Sequence, residues 1–232
     1  MMMFMFFRFL IFAAMFPVLI LLWWICRQDR VEKEPPALLA KLFFLGVISA
    51  IPAMLLEMLA EIPLQEVRGD TLRIFLENFL GVALMEELCK FVLLKWGSWR
   101  SPEFNYRFDG IVYAVFVSLG FAAIENILYV TQSGLGVALA RALLSIPGHM
   151  VFAVFMGAFY SKAKSRKLTG RSGSWGLMLV GLLVSVVLHG FYDFCLTMDS
   201  GALYAVFFVF AIASDFFAWL LVRRFSRADR PV

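Results

Sequence analysis

The residues of this 232-residue chain best suited to chemistry lie where charge is least expected, inside long apolar runs. Glu86, Glu87 and Lys90 fall near the middle of one run, Glu125 and Asn126 in the next, His149 in a third, and His189 and Asp193 in a fourth. His149 and His189 are the only two histidines in the chain. A charge near the bilayer centre costs about 2.5–3.5 kcal/mol even on insertion scales. Such a concentration therefore signals either a reactive centre or a salt-bridge network that fixes helix packing.

Spacing narrows the roles. Glu86 and Lys90 are four apart with the acid first, which pairs them on one helix face and gives Lys90 a compensating, structural part. Glu87 is turned by about 100° from Glu86, so one carboxylate faces the reaction centre and the other orients or balances it. His189 and Asp193 are also four apart; they suit two ligands of one ion, or a histidine oriented by a carboxylate. Two chemistries fit. Glu125, His149 and His189 form a zinc set with an open position for water, Asp193 being a fourth ligand or a support, and Glu86 or Glu87 the general base. Alternatively a buried glutamate activates water without metal, and histidine and lysine stabilise the oxyanion. The HExxH pattern is absent.

The elements that carry these residues follow from composition. The chain is 62% hydrophobic and 16% charged, with mean hydropathy +0.85, against about 45–50% and 25% for soluble domains. That excludes a soluble enzyme, a disordered chain and a disulfide scaffold. Seven apolar segments, at roughly 4–26, 38–60, 74–95, 109–131, 138–160, 175–196 and 203–222, are each long enough to span hydrocarbon. In lipid only a helix satisfies its own backbone, so the expected fold is an all-α transmembrane bundle forming one membrane domain over 1–232. The first segment lacks a basic start and an A-x-A site, and reads as an uncleaved anchor. Cys26, Cys89 and Cys195 lie scattered in apolar runs and read as small buried hydrophobes.

Charge sets the orientation. Sixteen Lys and Arg lie in or beside the first, third and fifth connections and the C-terminal tail; only Arg8, Arg68, Arg73 and Arg141 lie on the other side. The positive-inside tendency places the N-terminus outside and the C-terminus in the cytoplasm. The net charge of +4 thus reflects membrane topology and not nucleic-acid binding. Glu57, Glu61 and Glu77 are expected at the interface, Asp109 at a helix N-terminus, and Asp215 has no assigned role. Gly157/Ser161 and Gly181/Ser185 have the small-xxx-small spacing of close helix contacts.

The ordered set MEELCK with Glu86 and Glu87, FAAIEN with Phe121 and Glu125, IPGHM with His149, and LHGFYD with His189 and Asp193 resembles the PrsW family of intramembrane proteases. It is distantly similar to CAAX prenyl endopeptidases. The resemblance covers about 74–196, the expected catalytic core. It implies a multi-pass protein of the bacterial cytoplasmic membrane. Its implied reaction is the first, extracytoplasmic cut in a single-span anti-sigma factor. By motif match Glu86 activates water and Glu87 supports it. Where CAAX relatives carry a histidine this chain has Glu125, and where they often carry asparagine it has Asp193. An ionised aspartate cannot donate to an oxyanion. Asp193 is therefore expected to ligate a cation or orient His189, and prenylated substrates fit less well. The rival function is an ion- or proton-coupled transporter using the same acids and histidines, though the repeated broken helices of many carriers are absent. A structural scaffold is the third reading.

Overall fold

The computed structural model describes residues 2–232; Met1 lies outside the described residues. The helices, in chain order, are α1 Met2–Gln28, α2 Pro36–Leu64, α3 Asp70–Leu76, a π-helical stretch Glu77–Ala83, α4 Leu84–Ser98, α5 Asp109–Ser133, α6 Leu135–Ala140, a second π-helical stretch Arg141–Ser145, α7 Ile146–Leu168, α8 Ser174–Thr197 and α9 Gly201–Arg227. Among the described residues there is no strand beyond an isolated bridge between Tyr106 and Pro231. The fold is the expected all-α membrane bundle. Among the described residues, six helices are long and apolar enough to cross a bilayer, with α6, the second π-helical stretch and α7 counted as one. The seventh path, Asp70 to Ser98, is helical throughout but is interrupted by π geometry and carries the charged triplet Glu86, Glu87 and Lys90.

Burial grades from the centre outward. Almost every residue of α5 from Asp109 to Ala123 is buried, whereas α1 and α9 show most of their apolar side chains on the outside, as lipid-facing helices must. α5 packs against α2 and α7, and α7 against α8. Small residues make these contacts close. A Cβ on Gly46 would stand 1.9 Å from the Val117 carbonyl oxygen, and one on Gly120 would stand 2.0 Å from the Phe43 oxygen, so α2 and α5 cross backbone to backbone. The Gly157 and Gly181 contacts read from the sequence are also tight, against Gly110 and Met156. Overpacking a filled contact costs about 1–3 kcal/mol. Gly120→Ala should therefore lower the detergent melting temperature by several degrees, and Gly136→Ala, where nothing lies within 4 Å, should not.

The connections 29–35, 99–108 and 169–173 and the tail after Arg227 gather at one end, the basic end. There Asp229 accepts the Phe108 N–H at 2.9 Å, Arg107 N–H donates to the Arg230 carbonyl at 3.1 Å, and Val232 N–H to the Asn105 carbonyl at 2.9 Å. Asp109 opens α5, as expected, and its carboxylate accepts the N–H groups of Asn105 and Tyr106 in the preceding loop, at 3.0 and 2.6 Å. Glu34, in the first connection, accepts Tyr113 O–H at 2.6 Å and meets the carboxyl of Asp109, with Asp29 and Glu103 near it. Burial pushes Glu34 up to about 7 and Asp29 up to about 6. A raised folded-state pKa means the native chain holds a proton that the unfolded chain releases above about 4.5. This contribution is complete at low pH and is lost as pH rises to about 7. Glu34→Gln should flatten the fall in melting temperature over that window; an unchanged pH profile would refute it.

Candidate active site

Two π-helical stretches prepare the site. Each inserts a residue into the helical ladder just before a functional segment: Glu77–Ala83 precedes Glu86, and Arg141–Ser145 precedes His149. Such bulges recur at functional sites because they re-aim the helix beyond them. Here α4, α5, α7 and α8 bring the reactive side chains to one buried centre.

At that centre lies Lys90, whose ammonium donates to Glu86 Oε2 at 2.9 Å and to Glu87 Oε1 at 2.8 Å, and stands 3.2 Å from His149 Nδ1. It also sits 4.1 Å from the centroid of the Phe121 ring. The compensating role read from the i,i+4 spacing is thus real, and it extends to both glutamates. His149 presents Nε2 to Glu125 Oε2 at 2.9 Å, and Arg141 meets the same oxygen at 2.9 Å. Arg141 Nε also donates to Asn126 Oδ1 at 2.9 Å, and the Asn126 amide donates to the Ala14 carbonyl at 2.8 Å, which ties α1 to the site. His189 faces Glu87 through Nδ1 at 3.1 Å and Asp193 through Nε2 at 3.2 Å. Phe152 stacks on the His189 ring at 4.8 Å between centroids, and the two histidine rings are 5.5 Å apart.

A cavity of about 600 Å³ opens beside this network. Glu86, Glu125, His149, His189 and Asp193 line it; Glu87 does not, being fully buried behind them. Spacing alone does not divide the two glutamates, and the fold does. Glu86 Oε1 makes no hydrogen bond among the described residues, while its Oε2 is held by Lys90. Glu87 sits between Lys90 and His189, a positioning place, and its Oε2 is buried without a partner.

The structure brings the zinc set read from the sequence to one cavity, but as two couples, Glu125 with His149 and His189 with Asp193. The ligand atoms that converge, all within 4.8 Å of one another, belong to Glu86, Glu87 and His149. Two carboxylates and an imidazole are donors that suit zinc. This buried cluster can hold a metal, although the Lys90 ammonium contacts all three residues.

Three residues on the wall escape sequence reasoning. Hydropathy puts Glu57 at the interface, yet it lines the cavity; Glu61 and Glu77 do stay outside, bonded to Gln65 and Arg73. Arg141 counts in the sequence as an outer charge, and here it reaches the site. Asn78, on the first π-helical stretch, accepts from Thr197. For Arg141 the signal is present, since it is the one Lys or Arg in the apolar stretch from Leu135 to Tyr160. Asp215 lies elsewhere, in a small apolar recess with Leu21, Trp24 and Pro147.

A family model described as PrsW family intramembrane metalloprotease matches residues 34–218, wider than the 74–196 core. A protein named Protease PrsW from Geobacillus kaustophilus is 35% identical over 187 residues, covering 81% of this chain and 79% of that protein. Its namesake in Bacillus subtilis is 35% identical over 195 residues, covering 84% and 86%. Another, in Halalkalibacterium halodurans, is 30% identical over 223 residues, covering 95% and 99%. No solved structure matches the chain. Nothing in these relatives supports a transporter.

Proposed function

Since the chain belongs to the PrsW family of intramembrane metalloproteases, we propose that it makes the first, extracytoplasmic cut in a single-span anti-sigma factor of the bacterial cytoplasmic membrane, with Glu86 as the base. The observation that carries the role of Glu86 is its position: of the adjacent glutamates it alone lines the cavity, where its Oε1 makes no hydrogen bond. The same cavity together with the positive-inside tendency supports the outer-side cut. The cavity lies toward the end of the bundle opposite the basic connections, beside Leu196, Thr197 and Gln132.

Glu86 removes a proton from water as the water oxygen attacks the peptide carbonyl carbon. The carbonyl oxygen becomes an oxyanion, met by the positive charge that Lys90 holds in this buried centre. The proton on Glu86 then passes to the departing amide nitrogen as the C–N bond breaks, leaving a carboxylic acid and an amine, and the acid's proton ends on the amine as the pair ionises. Glu87 holds Lys90 and His189 in register, Asp193 fixes the His189 ring, and Glu125 with Arg141 fixes His149. Zinc is the proposed metal; one carboxylate oxygen of Glu86, with Glu87 and His149, would hold it and leave the other Glu86 oxygen as the base, and the metal would add Lewis acidity toward water and carbonyl.

The test is a comparison of membrane proteomes from cells carrying the wild-type chain or its His189→Ala variant. One single-span anti-sigma factor should persist uncut with the variant, and be shortened on its outer side with the wild type. A shared cut pattern, or a cut on the cytoplasmic side, would overturn the proposal.

A further inference from the structure

On the cavity wall every carboxylate but one is matched by a positive or imidazole group. Glu86 has Lys90, Glu125 has Arg141 and His149, and Asp193 has His189. Glu57 lines the same cavity and makes no hydrogen bond or ion pair among the described residues. The charges that act on it most are Glu86 and Glu125, both negative. A half-buried carboxylate so placed gains from a cation brought in by a ligand.

The wall around Glu57 says what ligand. α2 and α5 touch at Gly46 and Gly120, and from that crossing they carry Ala50, Met54 and Glu57 on one side and Phe121, Glu125 and Leu128 on the other. Met54, Leu128 and Tyr129 line the cavity and are also exposed, so it opens sideways between the two helices. The slot is apolar near the crossing and acidic at Glu57. That order matches a transmembrane segment ending in a basic residue. Glu57 is outside the converging trio of metal-ligand residues, and one carboxylate suits one ammonium or guanidinium better than a divalent ion.

We propose that the α2/α5 slot receives the substrate span, and that Glu57 selects a lysine or arginine flanking the scissile bond. This deepens the reading of a single-span substrate and rests on it.

The probe is a set of single-span reporters with an alanine–leucine span and an outer flank of serine and alanine. Each member carries one lysine, moved position by position. Co-reconstituted with the His189→Ala protein and treated with a zero-length carbodiimide, the reporter lysine should form an amide with Glu57 at one or two adjacent positions. With wild-type protein, lysine at that position should be cut about tenfold faster than alanine, a difference worth about 1.4 kcal/mol. Glu57→Gln should erase that ratio, and Glu57→Lys should favour a reporter with glutamate there. Cross-links confined to Glu61 or Glu66, or an unchanged lysine-to-alanine ratio in Glu57→Gln, would overturn the proposal. Cutting by Glu86→Gln would remove the base and leave the charge preference standing.

Discussion

Glu86→Gln should abolish peptide cleavage, by about a thousandfold or more, while leaving the fold intact. A positioned base contributes roughly 10²–10⁴ in rate, and the amide has nearly the shape of the acid it replaces. Its side-chain oxygen can still accept from Lys90, which donates to Glu86 Oε2 at 2.9 Å. Stability should therefore hardly change, because Glu87 remains to balance the ammonium. Glu87→Gln is the informative contrast. It removes the fully buried partner of both Lys90 and His189, and breaking a buried pair typically costs about 3–5 kcal/mol. The two variants should separate cleanly, one dead and stable, the other poorly folded. Cleavage rates beside melting curves in detergent decide it, and a Glu86→Gln protein as active as wild type would remove Glu86 from the mechanism.

Lys90→Met should show the second large effect, in two directions. Without metal, the variant strands two carboxylates at 8% side-chain exposure or less, so the melting temperature should drop steeply. With zinc present, the same trio loses its resident competitor, because the ammonium lies within 3.2 Å of an atom of each member. Zinc should then bind the variant at least tenfold more tightly than wild type, and stabilise it in proportion to RT ln(1 + [Zn]/Kd). Calorimetric titration, read beside the melting curves, tests both halves. If zinc binds both proteins alike, it sits away from Lys90, and Glu125, His149, His189 and Asp193 become the set to vary.

The spans are legible because twenty apolar residues have one stable state in hydrocarbon. The pairing of Glu86 with Lys90 is legible for a similar reason, since i,i+4 geometry is local. The features that escape the sequence depend on the phase between helices. The π-helical stretches Glu77–Ala83 and Arg141–Ser145 shift the face on which Glu86 and His149 emerge, and no residue in them announces it. The separation of Glu86 from Glu87 comes from that phase and from how α8 packs against α4 and the first π-helical stretch. Glu57 escapes because hydropathy gives depth but not direction. At its depth an acid facing lipid-side water and an acid facing an internal cavity have the same sequence signature.

Lys90 also bears on how this chain enters the membrane at all. Glu86, Glu87 and Lys90 occupy little more than one turn of α4 and bond to one another without help from another span. As the nascent helix leaves the translocon, two of its three charges can neutralise each other before α5, α7 or α8 exists. A lone acid would instead bear the full insertion penalty of about 2.5–3.5 kcal/mol. The histidines arrive later, and His189 brings Asp193 on its own helix, 3.2 Å from Nε2. The reactive centre is thus delivered to the bilayer in parts, with Glu125 waiting for Arg141 and His149, and becomes a dense ionic network only when the bundle closes around it.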